Sequence, residues 1–259
     1  MKPYEKGSLS YSTYSHNRHK LEEFFQSERY FLTKEIIKPG TTILDIGGAS
    51  GGLGNAIQTS VQKDIKYFCI DPDVQSIRFG KELYPHFEFS SGYFPKDAPE
   101  KEYDLVVMMA LFPQIEDWKT CLLNMRNRSK RFINLSIVAR LDGTTVIDKD
   151  VSYAYYFDSG ERVHQIVHNL YELLNFCSTA EMNLRKITFY GYHLKEKGKN
   201  YRCVPYTQQI VGNLLLEVND KPACRTGAIS KKEFIDNMEA PKLLDNSPEV
   251  EIIIDGKVE

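Results

Sequence analysis

A run of glycines between a predicted strand and a predicted helix constrains the fold of this chain more than any other feature. Residues 43–54 read Ile-Leu-Asp-Ile-Gly-Gly-Ala-Ser-Gly-Gly-Leu-Gly, so an apolar strand leads directly into the glycines. Gly52 and Gly54 fall where the next helix would begin, and each costs about 1 kcal/mol relative to alanine in a helix. Such a poor helix start predicts that the backbone approaches a ligand closely or adopts unusual dihedral angles there.

Strand-like and helix-like segments alternate along the chain around this loop. Short apolar runs rich in β-branched residues predict strands, and the amphipathic stretches between them predict helices. The predicted strands cover residues 42–46, 66–70, 87–89, 105–109 and 131–138, and the predicted helices cover 53–62, 74–83 and 118–128. This order of strands and helices predicts an α/β fold with a mostly parallel sheet and helices on both faces.

Two longer helices are predicted outside this alternating region. An amphipathic pattern at 17–37 predicts an N-terminal helix that ends at Pro39 and Gly40. A long connection at 141–158, which contains four aromatic residues at 153 and 155–157, precedes the second helix. That helix is expected to begin at Ser159 or Gly160 and to continue to residue 177, with an apolar stripe along one side.

The last third of the chain contains weaker signals. Two late strands are predicted at 186–194 and 211–218, separated by a polar segment. After Asn219 the composition shifts toward Lys, Asp, Asn and Pro, and the chain ends near a short strand-like run at 250–255. This tail is expected to be an extension of the α/β domain and not a second catalytic domain.

Two aspartates next to the glycine loop distinguish between two kinds of ligand. A dinucleotide site prefers the pattern GxGxxG, with the pyrophosphate at the helix N-terminus. Asp45 lies two positions before the first glycine, where its charge would repel a pyrophosphate and favour a cationic amino-acid end. Asp71 closes the next strand, where a carboxylate can accept hydrogen bonds from both ribose hydroxyls. S-adenosylmethionine, with an ammonium, a sulfonium and no phosphate, fits this pattern; the alternative is a glycine-rich turn without a ligand.

The core Leu44-Asp45-Ile46-Gly47-Gly48-Ala49-Ser50-Gly51 resembles that of the class I S-adenosylmethionine-dependent methyltransferases, and the resemblance extends over about residues 41–138. It implies the seven-stranded, mostly parallel sheet of that family, with an antiparallel last strand and helices on both faces. It also implies a Rossmann-like methyltransferase domain at 41–218. The helical pattern of the first forty residues predicts an N-terminal helical lid segment at 1–40, with a flexible basic lead-in as the alternative, and the composition after Asn219 predicts a short C-terminal extension at 219–259.

The same resemblance implies a cofactor site for S-adenosylmethionine. Asp45 and the backbone of the glycine loop would hold the methionine end, and Asp71 would hold the ribose. The turn at 90–93 would lie beside the adenine, and the turn at 109–111 would lie beside the transferable methyl. The implied cofactor-binding residues are Asp45, Gly47, Gly48, Ala49, Ser50, Gly51, Asp71, Pro72, Ser91, Gly92, Tyr93, Met109 and Ala110. Two departures are visible: Ala49 replaces the middle glycine, and serines stand where an aspartate often binds the adenine amino group.

Many methyltransferases that this chain resembles have a histidine after the fourth strand, but here Phe112-Pro113-Gln114 stands at that position. Other residues must therefore bind and activate the acceptor. His164 and His168 lie four residues apart on the predicted helix and are the candidate general bases. His164 is favoured because it is nearer to the predicted N-terminus, where the helix dipole favours the neutral ring. Two solvated or partly buried helix histidines would give the same spacing. The candidate acceptor-binding residues are Tyr14, Arg18, Gln114, Tyr155 and Tyr156.

Composition and charge argue against several classes of function. A net charge of -2 provides no global positive field that would recruit nucleic acid or an anionic membrane. Five scattered cysteines without CxxC spacing predict neither disulfides nor a zinc site, and the start of the chain does not resemble a signal peptide, so a cytoplasmic location is expected. Asp142, Asp148 and Asp150 lie in a polar loop without a further carboxylate at the fourth strand, so no metal site is predicted.

The sequence therefore predicts an enzyme that transfers a methyl group from S-adenosylmethionine to an oxygen or nitrogen of a small polar or anionic acceptor. The resemblance to relatives that modify sugars, carried by Gly92-Tyr93-Phe94-Pro95 and Lys96-Asp97, implies a sugar, a nucleotide-sugar or a phosphorylated precursor of a surface polysaccharide as the acceptor. Two alternatives remain open at this point: a non-catalytic cofactor-binding partner of another methyltransferase, and a methyltransferase that acts on nucleic acid or protein.

Overall fold

A computed structural model describes residues 18–156, 161–193, 200–202, 209–219 and 248–255 of the chain. The strands in this part are β1 (Thr41–Ile46), β2 (Ile65–Asp71), β3 (Glu88–Ser91), β4 (Tyr103–Met108), β5 (Ser129–Arg140), β6 (Tyr153–Tyr156), β7 (Glu161–His164), β8 (His168–Asn169), β9 (Leu184–His193), β10 (Asn200–Arg202), β11 (Ile210–Val218) and β12 (Glu249–Asp255). The helices are α1 (Gln26–Leu32), α2 (Gly52–Ser60), α3 (Val74–Leu83), α4 (Trp118–Asn127) and α5 (Leu170–Cys177), with 3-10 turns at Leu21–Glu23 and Phe112–Gln114.

The main sheet has the strand order β12-β9-β11-β5-β4-β1-β2-β3, and the short β8 pairs with the end of β5. Strands β1 to β5 are mutually parallel, and β11 is antiparallel to both of its neighbours, β5 and β9. The predicted α/β fold and the mostly parallel sheet with an antiparallel late strand are confirmed. The strand-like run near the end of the chain forms β12, which lies parallel to β9 and extends the sheet at that edge.

Helices cover both faces of the sheet because its central strands are buried on both sides. In β4, Leu105 and Val107 face the core under α1, α2 and α3, whereas Val106 and Met108 face the core under α4 and α5. All four side chains are at most 1% exposed, which is typical of a central parallel strand. No helix in the described part of the chain is both long and apolar enough to cross a bilayer.

The predicted N-terminal helix at 17–37 is wrong in extent, because only residues 26–32 form an α-helix. Side-chain hydrogen bonds to the backbone divide the segment into short pieces. The Glu23 carboxylate accepts hydrogen bonds from the backbone N–H groups of His19 and Lys20, at 2.6 and 2.9 Å. The Glu28 carboxylate accepts one from the N–H of Phe25, at 2.9 Å. Such local bonds offer the backbone an alternative to a continuous helix.

The predicted helix at 159–177 is also wrong in its first half. Helix α5 begins at Leu170, with Asn169 as its N-cap, and the Asn169 side chain accepts a hydrogen bond from the N–H of Glu172 at 2.9 Å. Residues before it pair as strands: β7 is antiparallel to β6, with Tyr153 opposite His164, and β8 pairs with β5. The aromatic loop expected at 153–157 is therefore strand β6 over Tyr153–Tyr156.

A second, three-stranded sheet of order β10-β6-β7 is built from two insertions. One insertion follows the end of β5, and the other lies between β9 and β11. Ile210, at the start of β11, is opposite both Ala139 near the end of β5 and His193 at the end of β9. Both insertions therefore leave the main sheet at its carboxyl edge, the edge at which β1 runs into the glycine loop.

Candidate functional site

The glycine loop follows β1 at the carboxyl edge of the sheet and has a left-handed backbone at three of its five positions. The φ angles are +73° at Gly47, +48° at Ala49 and +78° at Gly51. A non-glycine residue in this region costs roughly 1–2 kcal/mol, so Ala49 is a strained position. The N–H of Gly47 donates to the Ile70 carbonyl of β2, which holds the loop against the sheet, and within the loop the N–H of Gly51 donates to the Gly48 carbonyl, each at 2.8 Å. Backbone strain of this kind is concentrated at ligand sites in proteins.

Asp71 connects the end of β2 to the glycine loop. Its Oδ2 accepts a hydrogen bond from the N–H of Ala49 at 2.9 Å, and its Oδ1 accepts one from the N–H of Asp73 at 2.8 Å. Burial raises the pKa of Asp71, and these two backbone hydrogen bonds oppose that shift. Each carboxylate oxygen has a second lone pair, so Asp71 can still accept hydrogen bonds from a ligand.

Asp45 is buried under the same loop, with 2% of its surface exposed. Its carboxylate accepts a hydrogen bond from the Tyr67 hydroxyl and lies against the backbone of Gly48, where a Cβ atom would clash with it. Burial raises the pKa of Asp45 to about 7, the Tyr67 hydrogen bond opposes this shift, and the charge of Asp71 adds to it. This geometry makes Asp45 a support for the glycine loop.

The turn after β3 is the third part of the site, and it contains a carboxylate that sequence reasoning missed. The N–H of Gly92 donates to the Asp71 carbonyl at 3.1 Å, and the N–H of Tyr93 donates to Oδ2 of Asp97 at 2.8 Å. Asp97 also lies so close to Gly92 that a Cβ atom there would clash with it. The available signal was the acidic residue four positions after Tyr93, in a segment rich in turn-forming residues.

A cavity of about 360 Å³ lies between this turn and helix α4. Its walls combine apolar side chains with a few polar groups from α4, which is typical of a small-molecule site. The lining residues are Ile46, Gly47, Ile70, Pro72, Gly92, Tyr93, Phe94, Pro95, Met108, Leu111, Ile115, Asp117, Thr120, Cys121 and Asn124. The cavity therefore contacts the ends of β1, β2 and β4, together with the turns that follow them.

The turn after β4 closes over the glycine loop. Ala110 has a left-handed backbone, with a φ of +58°, and the Leu111 side chain packs against Gly47, where a Cβ atom would clash with it. The Gln114 amide donates to the Ala110 carbonyl at 3.3 Å, so Gln114 supports the turn. Two strained alanines, at 49 and 110, thus lie in two neighbouring turns of the site.

Glu28 of α1 is a second functional candidate that sequence reasoning missed. Its side chain is fully buried, and Oε1 accepts a hydrogen bond from the Ser136 hydroxyl at 3.0 Å, while Oε2 takes the Arg18 guanidinium. The Ser136 hydroxyl also contacts the Met109 sulfur at 3.4 Å, so Glu28 is linked to the turn after β4. The signal was an acidic residue on the apolar side of α1, between Phe24 and Phe31.

The two candidate bases lie on different strands, so the expectation that they share a helix face is wrong. His164 is in β7, and its Nε2 donates to the Ile147 carbonyl at 2.7 Å, which leaves Nδ1 without a proton in the neutral ring. His168, in β8, is fully buried between the rings of Phe112 and Trp118. Burial lowers the pKa of His168 to about 3. Neither of its ring nitrogens has a hydrogen-bond partner within the described ranges.

The structure describes two of the three remaining candidate acceptor residues. Tyr155 and Tyr156 lie in β6, opposite Arg162 and Glu161 of β7, whereas Tyr14 lies outside the described residues. The Arg162 guanidinium lies 3.7 Å from the centre of the Tyr153 ring. Among the residues that the structure describes, no cluster of three or more His, Cys, Asp or Glu side chains could hold a metal ion.

Comparisons with known proteins agree with this architecture. No family model matches the chain. A protein of Invertebrate iridescent virus 6, whose curated name makes it a candidate methyltransferase, is 30% identical over 117 residues, which are 45% of this chain and 44% of the viral protein. The chain thus spans less than half the length of that relative.

Two solved structures share the fold at low sequence identity. A candidate sarcosine dimethylglycine methyltransferase of Galdieria sulphuraria is 12% identical, with a TM-score of 0.54 over 75% of this chain and 83% of that chain. The O-methyltransferase of a trans-AT polyketide synthase of Brevibacillus brevis, solved with S-adenosyl-L-homocysteine, is 13% identical, with a TM-score of 0.50 over 71% of this chain and 63% of that chain. The chain therefore has the Rossmann-like fold of the class I S-adenosylmethionine-dependent methyltransferases.

Proposed function

We propose that the protein is a methyltransferase that uses S-adenosylmethionine to modify a small polar acceptor. The observation that carries this proposal is the excess of buried and partly buried carboxylates around the glycine loop. Asp45, Asp71 and Glu28 lie there, and the raised pKa of Asp45 reflects its burial and the nearby charge of Asp71. Arg18 offsets only part of this negative charge. A ligand with an ammonium and a sulfonium would reduce the repulsion, whereas a pyrophosphate would increase it.

The turns around the loop provide matching groups for the rest of such a cofactor. Asp71 would accept the ribose hydroxyls through its remaining lone pairs, and the cavity beside Pro72 and Tyr93 would take the adenine ring. Arg18, predicted on the acceptor side, is better placed for the methionine carboxylate, because its backbone lies against Gly52 at the start of α2.

When bound, S-adenosylmethionine supplies a methyl group that its sulfonium makes electrophilic. The residues of the chain then have to align the acceptor with this methyl and exclude water, which supplies most of the rate enhancement in such a displacement. A hydroxyl acceptor also has to lose a proton. His164 can take that proton at Nδ1, because the Ile147 carbonyl holds the proton of the neutral ring on Nε2.

The acceptor would lie over the ends of β4 and β5, under the sheet of β6, β7 and β10. Ligands in open α/β sheets bind outside the carboxyl ends of the strands, and loops from the same edge shape the pocket for each substrate. The acceptor class stays as predicted from the sequence: a sugar, a nucleotide-sugar or a phosphorylated precursor of a surface polysaccharide. In the same proposal, residues 1–40 act as a lid segment, 41–218 as the methyltransferase domain and 219–259 as an extension.

Calorimetry with S-adenosylmethionine, S-adenosyl-L-homocysteine and NAD tests the proposal. We expect the first two ligands to bind and NAD not to bind. Asp71→Ala should weaken S-adenosyl-L-homocysteine binding about 10- to 100-fold, since it removes charge-assisted hydrogen bonds. Asp104→Ala is the control: the Asp104 carboxylate accepts hydrogen bonds from the Thr42 N–H and hydroxyl at the end of β1 opposite the glycine loop, so its loss should cost about 1–3 kcal/mol of stability without changing ligand affinity. Saturable NAD binding without binding of the other two ligands would end the proposal.

A further inference from the structure

The segment that precedes α1 is fixed against the first turn of α2, directly after the glycine loop. The Arg18 carbonyl lies so close to Gly52 that a Cβ atom there would clash with it, and the Asn55 side chain donates to the His19 carbonyl at 2.8 Å. His19 also contacts the Tyr84 hydroxyl at the end of α3. The backbone of Arg18 therefore lies at the helix start that would receive the methionine end of the cofactor.

The Arg18 side chain runs from this point into the protein and not into solvent. Its guanidinium forms an ion pair with Glu28, lies 4.5 Å from the centre of the Phe24 ring, and is 12% exposed. A buried guanidinium can adopt many orientations unless a partner fixes the plane of its fork. Glu28 is that partner. Its other oxygen, Oε1, accepts a hydrogen bond from the Ser136 hydroxyl of β5 at 3.0 Å, and Oε2 also accepts one from the Phe25 N–H at 2.9 Å.

From this geometry we infer that Glu28 is a positioning residue, which holds the Arg18 guanidinium in place to bind the α-carboxylate of the cofactor. The inference rests on the proposed function. Glu28 itself touches no part of the ligand in this arrangement and acts only through Arg18. The two carboxylate oxygens of Glu28 have different partners: Oε2 accepts from the Arg18 guanidinium, and Oε1 accepts from the Ser136 hydroxyl. These contacts fix the orientation of the carboxylate and, through it, that of the guanidinium.

Two ligands separate this role from a general role in folding. S-adenosyl-L-homocysteine carries the amino-acid end, whereas 5′-methylthioadenosine has the same nucleoside and lacks both the ammonium and the carboxylate. Glu28→Gln should weaken binding of S-adenosyl-L-homocysteine about tenfold or more, measured by calorimetry, and change binding of 5′-methylthioadenosine less than twofold. Glu22→Gln is the matched control: it makes the same chemical change at an exposed position of the same segment, and both affinities should stay unchanged.

A double-mutant cycle tests whether the two residues act as one unit. Arg18→Gln should produce the same selective loss as Glu28→Gln, and the double variant should lose no more than Arg18→Gln alone. The double variant also leaves no uncompensated buried charge, so it guards against a single variant that fails to fold. Equal weakening of both ligands by Glu28→Gln, or losses that multiply in the double variant, would overturn the inference. If the wild type bound neither S-adenosyl-L-homocysteine nor S-adenosylmethionine, the proposed function itself would fail.

Discussion

The two halves of the carboxyl edge are built by different means. In the half formed by β1 to β4, short turns are held by carboxylates that accept backbone hydrogen bonds: Asp71 binds the N–H groups of Ala49 and Asp73, and Asp97 binds that of Tyr93. In the half formed by β5, β9 and β11, two insertions leave the edge and pair with each other as a separate sheet.

This difference distinguishes the half formed by β1 to β4, called the cofactor half, whose backbone is constrained, from the half formed by β5, β9 and β11, called the variable half, whose side chains are less constrained. The turns of the first half, which would hold the cofactor, contain alanines with a left-handed backbone and glycines at which a Cβ atom would clash. Few substitutions are therefore compatible with their backbone. The second half is held mainly by backbone hydrogen bonds between paired strands, and many different side chains are compatible with such pairing where they face solvent. An acceptor site made from such insertions can change its specificity without a change in the cofactor site.

The largest effect is expected in the variable half, at His164. If the acceptor is a hydroxyl, His164→Gln should lower turnover about 100-fold or more, because a general base typically contributes a factor of that size or larger. Glutamine can keep the hydrogen bond to the Ile147 carbonyl but cannot take a proton. Turnover over a range of pH, with cofactor affinity measured in parallel, checks this prediction.

His168→Gln is the control for that experiment. Burial lowers the pKa of His168 to about 3, and the rings of Phe112 and Trp118 enclose it. His168→Gln should therefore lower the free energy of unfolding and leave the rate of the chemical step nearly unchanged. A turnover of His164→Gln within threefold of the wild type would contradict the base assignment and favour an acceptor that is already ionised.

The same division explains which parts of the site could be predicted from the sequence. The glycine loop and Asp71 were predictable because neighbouring residues determine their conformation. Helix α5 was predicted too long because Ser159 and Asn169 are both good N-caps, and only the pairing of β7 with β6 excludes the earlier start. Glu28 could be noticed as a charge on an apolar face, but its partner Ser136 is 108 positions away and no local pattern connects them.

The two halves should also respond to pH in opposite directions. Asp45, in the cofactor half, has a folded-state pKa of about 7 against an ordinary value of 3.8, so the folded state binds a proton that the unfolded state has released. Its contribution to stability is present below pH 3.8 and is lost as the pH rises toward 7. His168 has a folded-state pKa of about 3 against 6.5, so its contribution is present above pH 6.5 and is lost as the pH falls toward 3.

Thermal unfolding of the cofactor-free protein between pH 4 and 7.5 tests this opposition. Asp45→Asn should remove the part of the free energy of unfolding that is lost with rising pH, on the order of a few kcal/mol across this range. The stability of this variant should then rise with pH. His168→Phe should do the reverse and leave a net fall with pH. The double variant is the control, because it removes both contributions and should show the shallowest dependence. Parallel slopes in the two single variants would show that these two groups do not dominate the pH dependence.

The smallest effect is expected at the far edge of the variable half, where β12 lies beside β9. Lys186 of β9 contacts two carboxylates of β12: its Nζ lies 3.2 Å from Glu249 and 2.9 Å from Glu251. The hydrogen bonds that Lys186 donates to these carboxylates raise its pKa, but Glu249 is exposed and Glu251 is partly exposed, so solvent and salt screen the attraction. Lys186→Met keeps the apolar stem and should cost less than about 1 kcal/mol of unfolding free energy in urea, with the difference disappearing in 1 M salt.

Val250, which is fully buried in the same strand, provides the contrast. Val250→Ala should cost about 2 kcal/mol and should be insensitive to salt, because it removes apolar contacts that ions do not screen. If Lys186→Met proved the more costly of the two at every salt concentration, charge pairing and not apolar burial would hold β12 on the sheet. The edge of the variable half would then depend on charged side chains as strongly as the cofactor half does.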